Sequence, residues 1–390
     1  MKGRLLVISG LVVLNIVLVG VWFLGPRSES IGLDSVDLAG KSFSFEELKT
    51  YLTKLAKEKG AVYAFEVLET TNLPPNTDTH LLGHVVGDML YEQKGAEGIA
   101  VCTHDFRNAC SHSIVVGLLS DKGESALLDI DKACKKAPGG KGAYGMCYHG
   151  LGHGILAYTG YNEEKTVEIC KKTPEVSQCV SGSVMELISG GFHDREQWAQ
   201  QRKKYLNPDD PLALCQGDII PLEAKWQCFS YLTPYLWEAV SGNIGNPTEE
   251  DHKKAFALCE QADSKYQSVC FGGFGKEFTV LVQERDIRKI DEMNNEQLEK
   301  VYRLCALAKA PEGVKACISQ ALGSLYWGGE NNRETSIRFC SLIPDSGVQK
   351  GCFNELIAAV GLYIDDDKYK ESFCKEIPES YREECKKILL

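Results

Sequence analysis

Between Cys134 and His153 the chain runs Cys-Lys-Lys-Ala-Pro-Gly-Gly-Lys-Gly-Ala-Tyr-Gly-Met-Cys-Tyr-His-Gly-Leu-Gly-His. Two cysteines flank a turn-forming run, and the second opens a small-residue, apolar stretch. The couple Cys134 and Cys147 has seven counterparts: Cys102 with Cys110, Cys170 with Cys179, Cys215 with Cys228, Cys259 with Cys270, Cys305 with Cys317, Cys340 with Cys352, and Cys374 with Cys385. Within a couple 7–12 residues intervene and between couples 21–35, an alternation that holds from Cys102 to the C-terminus. Such regularity predicts eight disulfides, each inside its own couple.

The residues around the couples repeat too. The first cysteine closes an amphipathic, charge-dotted segment, as in Glu164–Cys170, Asp251–Cys259, Glu296–Cys305, Arg333–Cys340 and Lys368–Cys374. Pro174, Pro311, Pro344 and Pro378 then mark turns, because proline cannot continue a helix. The unit predicted is a helical hairpin stapled across its turn, with Cα atoms within the roughly 4.4–6.8 Å that a disulfide needs. Glycines where the second helix begins predict unusually close helix packing, since each weakens a helix interior. Ser44-Phe-Glu-Glu47 reads as a capping box that opens a helix to Lys57, and Ala61 to Thr71 supplies the second helix of a cysteine-free first unit. Periods of 32–46 residues match tetratricopeptide-type α/α repeats, and the stapled hairpins resemble Sel1-like cysteine-rich repeat proteins in architecture, although no run carries a Sel1 signature. The expected fold is therefore all-α: a right-handed α/α solenoid of disulfide-stapled hairpins behind an N-terminal transmembrane anchor.

The chain has 390 residues, 44% hydrophobic and 25% charged, which excludes disorder as its main state. Lys2 and Arg4 precede Leu5 to Gly25, an uncharged run long enough at a 1.5 Å rise to cross a bilayer core of about 30 Å. Trp22, Phe23 and Pro26 follow where a signal peptide would carry a small-residue cleavage site, so an uncleaved anchor is expected over a signal peptide. The basic flank stays inside, which places the body outside a cell membrane crossed once, on the oxidising side where disulfides persist. Residues 1–27 are thus expected to be the anchor (or signal peptide), 28–41 a tether, 42–200 histidine-rich repeats with a metal site, and 201–390 cysteine-paired repeats. Net charge is −11, and −14 once the basic N-terminus is set aside; such a body repels phosphate backbones, so nucleic acid is not an expected partner.

Seven of the eight histidines, His80, His84, His104, His112, His149, His153 and His193, lie within 114 residues. His80-Leu-Leu-Gly-His84 and His149-Gly-Leu-Gly-His153 share one form, and His112 follows Cys110 by two residues as His149 follows Cys147, with Ser181 next in register. Spacing i, i+4 puts both imidazoles of a pair on one helix face, a bidentate grip on a metal. The two pairs and His112 are expected to converge on a transition metal (zinc, copper or iron), a donor set unsuited to calcium. Asp88 extends the first face, and His104, Glu186 and His193 are additional candidates. Glycines at 83, 87, 150, 152 and 154 are expected to leave room for an ion or ligand.

Plainer readings compete. A buried histidine usually serves as a hydrogen-bonded core residue, and the register of these could reflect duplication alone. Cysteine ligation is disfavoured because the couples continue through units nearly without histidine. Trp226, Tyr231, Tyr235 and Trp237 around Cys228 read as core, and Tyr326-Trp327-Gly-Gly as packing. Phosphate-binding loops, nucleophile elbows, haem-attachment motifs and His-Glu-x-x-His helices are absent from the sequence. Two functions remain: an exported metal-dependent hydrolase or oxidoreductase, or a non-enzymatic repeat scaffold that binds a protein or peptide in its groove.

Overall fold

Ser44 and Glu47 form the reciprocal cap that their spacing predicts: the Glu47 amide donates to Ser44 Oγ at 3.3 Å and the Ser44 amide to the Glu47 carboxylate at 2.8 Å. They open the first helix of a computed structural model that describes residues 43–390 except 72, 74–78, 104, 191–194, 243–245, 284–286 and 330. Helix α1 (Phe45–Lys59) turns at Gly60, whose φ of 98° a side-chain-bearing residue resists, into α2 (Ala61–Thr70). Next come α3 (Thr79–Lys94), a 3-10 segment (Gly95–Val101) and α4 (Ala109–Lys122). The hairpins α5 (Leu127–Cys134) with α6 (Gly140–Tyr158) and α7 (Glu163–Cys170) with α8 (Val176–Ser189) follow. A less regular stretch holds α9 (Arg195–Gln201), α10 (Ala213–Gln216), α11 (Lys225–Tyr231) and α12 (Thr233–Ser241), the last begun by Pro234 near its first turn. Four more hairpins complete the chain: α13 (Glu249–Cys259) with α14 (Ser264–Val282), α15 (Asn295–Cys305) with α16 (Pro311–Tyr326), α17 (Arg333–Leu342) with α18 (Ser346–Tyr363), and α19 (Asp367–Glu376) with α20 (Glu379–Leu389). Among the described residues there is no strand, only the isolated bridge Asn207–Asp210.

All eight disulfides join the couples that the spacing predicts, with Cα atoms 5.4–5.6 Å apart, and no cysteine is free. In the N-terminal half Cys102 bonds to Cys110, Cys134 to Cys147, Cys170 to Cys179 and Cys215 to Cys228. In the C-terminal half Cys259 bonds to Cys270, Cys305 to Cys317, Cys340 to Cys352 and Cys374 to Cys385. Each bond ties the end of one segment to the early turns of the next, so Cys317 on α16, Cys352 on α18 and Cys385 on α20 are structural staples and not metal ligands. The second helices then pack in sequence order, α3 on α4, α4 on α6, α6 on α8, and onward through α11, α14, α16, α18 and α20. This row bends back until α18 touches α6, where Tyr363 covers Gly142. The bend encloses a cavity of about 1260 Å³.

Glycine sets the spacing of the row. A Cβ on Gly152 would lie 1.9 Å from the Cys179 carbonyl oxygen, and one on Gly182 would lie 1.8 Å from that of His149, so α6 and α8 touch backbone to backbone. The sequence suggests ligand space beside such glycines, and the structure corrects this. Gly83 faces Phe106 and Ala109, Gly87 the Cys110 backbone, Gly150 the His112 ring and Gly154 the Val116 side chain. Neighbouring helices fill the room because close packing recovers the dispersion energy that an open groove would forfeit.

Among the described residues no helix is long and apolar enough to cross a membrane. The expected anchor at 1–27 and tether at 28–41 lie outside the described residues.

Candidate metal centre

The first turns of α3 carry His80 and His84 on one face, with ring centroids 4.8 Å apart, and α6 carries His149 and His153 likewise at 4.9 Å. Helix α4 packs between α3 and α6 and places His112 between the two pairs. Its ring centroid lies 6.5 and 6.0 Å from His80 and His84, and 6.0 and 5.9 Å from His149 and His153. The structure thus gathers all five histidines that sequence spacing singled out on one wall of the cavity.

Hydrogen bonds fix the rings from behind. His80 Nδ1 lies 2.7 Å from the Phe106 carbonyl oxygen, which can only accept, so Nδ1 carries the proton and Nε2 is the acceptor nitrogen of the neutral ring. The Ser113 hydroxyl donates its single proton to the His84 carbonyl, so it accepts from His84 Nδ1 at 3.1 Å and fixes the same tautomer. His153 Nδ1 donates to the Glu186 carboxylate at 3.1 Å. His149 Nδ1 meets the Ser181 hydroxyl at 3.0 Å, a partner that can donate or accept. On the inner side, His149 Nε2 and His153 Nε2 stand 3.2 Å apart.

Burial holds the pKa of His112 and His149 well below the imidazole range, reinforced by neighbouring histidines and, for His149, by Lys276. Both are therefore neutral at physiological pH, the form that ligates metals. His112 is 6% exposed and its buried Nε2 has no hydrogen-bond partner, a costly arrangement in a chain that satisfies most buried nitrogens. Among the described residues, no group of three or more His, Cys, Asp or Glu side chains is already drawn into a coordination set, and the Nε2 atoms of His149 and His153 stand at bite distance from each other.

The other candidates divide. Asp88 lines the cavity near His84. Glu186 is 2% exposed and braces the His153 ring from its Nδ1 side instead of replacing a histidine of the earlier units. His104 and His193 lie outside the described residues. His252, the one histidine beyond the cluster, is a core residue packed 5.3 Å from Trp237 and 4.9 Å from Phe278.

Sequence reasoning missed four cavity residues. Lys276 lines the wall beside Tyr231, its ammonium 3.8 Å from that ring's centroid, and Tyr231 in turn lies 5.5 Å from His149. Tyr231 and Trp327, read as core or packing, face the cavity instead, whereas Tyr235 and Trp237 are core as expected and Trp226 is exposed. Register could have found Lys276, which follows Cys270 by six residues as His153 follows Cys147. Nothing in the sequence announces Arg107, whose guanidinium stacks 4.4 Å from the Trp327 ring. It sits in three consecutive left-handed residues, Phe106, Arg107 and Asn108, with φ of 56°, 53° and 62°. Side chains resist that conformation, at a cost of about 1–2 kcal/mol each, and here it also presents the Phe106 carbonyl to His80.

Compared with known protein families, with curated proteins and with solved structures, the chain matches none.

Proposed function

We propose that this chain is a membrane-anchored, extracytoplasmic helical-repeat protein, an α/α solenoid whose cavity wall carries a five-histidine transition-metal centre with hydrolase or oxidoreductase chemistry. One observation carries the reading: His149 and His153 present Nε2 atoms 3.2 Å apart, while their Nδ1 atoms are engaged from behind by Ser181 and Glu186. An ion about 2.0–2.1 Å from both nitrogens would subtend an angle of roughly 100–106°, close to tetrahedral. The engaged Nδ1 atoms are the outer support that metal-binding histidines typically have. His112, with its orphaned Nε2, is the natural third ligand, and His80 and His84 complete the set by rotamer adjustment. Zinc, copper or iron suits imidazole donors, and such an ion would activate water or dioxygen, with Asp88 on the cavity wall as the carboxylate that exchanges a proton.

The test is metal content of the full-length protein purified without chelator, followed by titration with Zn²⁺, Cu²⁺ and Fe²⁺. Stoichiometric metal is expected, with His84→Ala and His153→Ala each weakening retention at least about tenfold and His252→Ala leaving metal content unchanged. Protein that neither carries nor takes up metal sinks the reading, and a scaffold holding a protein or peptide partner in the groove would then take first place.

A further inference from the structure

Lys276 is the one lysine on the cavity wall among the described residues, and the metal centre makes no use of it. Only 21% of its side chain is exposed, and its Nζ stands 3.8 Å from the centroid of the Tyr231 ring. Among the described residues no oxygen accepts a hydrogen bond from Nζ, and the one carboxylate within 4 Å is Glu277, its chain neighbour, at 3.9 Å. Glu277 itself is not on the cavity wall. Repeat register shows what lies beside the amine. Lys276 follows Cys270 by six residues as His153 follows Cys147, and on α6 and α8 this level of the row is filled by His153 in contact with Glu186, beside Met185. On α16, the helix packed against α14, Gly323 and Ser324 stand in the register of Met185 and Glu186. A Cβ on Gly323 would have nothing within 4 Å, so space is left where the other pair of helices has side chains.

We infer that the cavity takes an apolar aldehyde or ketone, which Lys276 captures as an imine, with the body of the compound in the space over Gly323. Lysines that do this chemistry are desolvated in largely apolar pockets, which keeps part of the population as the nucleophilic amine. Burial pushes the Lys276 pKa down to about 8, against the opposing pull of Glu277, in agreement with that role. Once its ammonium has released a proton to water, Nζ adds to the carbonyl carbon. The C–N bond forms as the C=O π bond opens, and the resulting carbinolamine loses its oxygen as water to leave C=N. No electrons are gained or lost by either partner. The protonated imine carries the same charge as the ammonium, so the Tyr231 face that holds one would hold the other. Met146, Tyr363 and Ile364, also on the wall, offer further apolar surface to the body of the compound. This capture requires no metal.

Full-length protein, untreated and chelator-treated, is incubated near pH 7 with 2-naphthaldehyde or 2-acetonaphthone and sodium cyanoborohydride, which reduces an imine to a stable amine. Modified lysines are then mapped by mass spectrometry. At least one of the two compounds should modify Lys276 roughly tenfold faster than it modifies exposed lysines. Excess 2-naphthylmethanol, which has the same body and no carbonyl, should slow modification of Lys276 and leave the exposed lysines unaffected. Gly323→Leu should slow the naphthyl compounds at Lys276 several-fold while sparing acetaldehyde, which needs no room beyond the amine. Lys276→Arg keeps the cation over Tyr231 and should abolish the imine absorbance that naphthaldehyde gives with the wild type before reduction. Modification of Lys276 no faster than that of exposed lysines, or insensitive to both naphthylmethanol and Gly323→Leu, overturns the inference whether or not the protein holds metal. The rate and competition measurements use the wild-type chain, so they decide even where a variant fails to fold. The aldehyde and ketone arms separate the two carbonyl classes.

Discussion

Glu163, wholly buried on α7, accepts the Ser183 hydroxyl at 2.8 Å on one oxygen and has no partner on the other. Burial raises its pKa from 4.5 to about 8. In the folded protein it therefore holds its proton at pH values where the unfolded chain has lost it. The stability so contributed is complete below pH 4.5 and is lost as pH climbs towards 8. Thermal melts from pH 5 to 8.5 should show wild-type stability falling relative to Glu163→Gln; parallel curves would show that Glu163 ionises freely in the fold. Glu186 tests a different idea, that a residue bracing a ligand matters as ligands do. Glu186→Ala should weaken metal retention by roughly 10–100-fold, with Glu186→Gln closer to wild type because its amide oxygen still accepts from His153 Nδ1. His252→Ala should cost about 2 kcal/mol through the cavity it opens beside Trp237 and Phe278. The histidine pairs were legible in sequence because i, i+4 spacing on a helix fixes their mutual distance. Arg107 was not, since three left-handed residues aim it and no residue type among them signals that conformation.

At the level of helices, the reciprocal contact of Gly152 and Gly182 holds α6 against α8 and so holds Ser181 against His149. The atom opposing a new methyl group is backbone on both sides and cannot rotate away. Gly182→Ala should therefore force the helices apart, costing about 3 kcal/mol or more and loosening the His149 ring. Gly323 on α16 provides the contrast, with nothing within 4 Å of the position a Cβ would take. Gly323→Ala should gain up to about 1 kcal/mol from helix propensity alone. A calorimetric melt of each variant gives the comparison, and equal effects would mean that glycine here reflects composition and not contact. The sequence marked Gly152, as a glycine near the start of a second helix, both as a packing device and as ligand space; only the positions of the neighbouring helices distinguish the two.

Across the whole molecule, eight short covalent loops, with sequence separations of 8–13 residues, constrain the chain. In the chain-entropy model each closure is worth roughly 2.5–3 kcal/mol, so together they exceed the roughly 5–15 kcal/mol by which a typical domain is stable. Fully reduced and alkylated protein should accordingly lose its cooperative helical melt at 37 °C; retention of that melt would show the helical core to be sufficient without its staples. Sequence by itself determined the disulfide pairing, the hairpins and the two histidine faces, because each depends on residues close along the chain, where loop length and helical period leave little freedom. It did not determine that α4 stands between those faces, that Tyr363 returns to cover Gly142, or that Lys276 and Arg107 share a cavity with the histidines. Those placements depend on the sum of the side-chain and glycine contacts that set successive helices of the row against one another. No local pattern encodes that sum, so only the tertiary structure decided which distant residues meet.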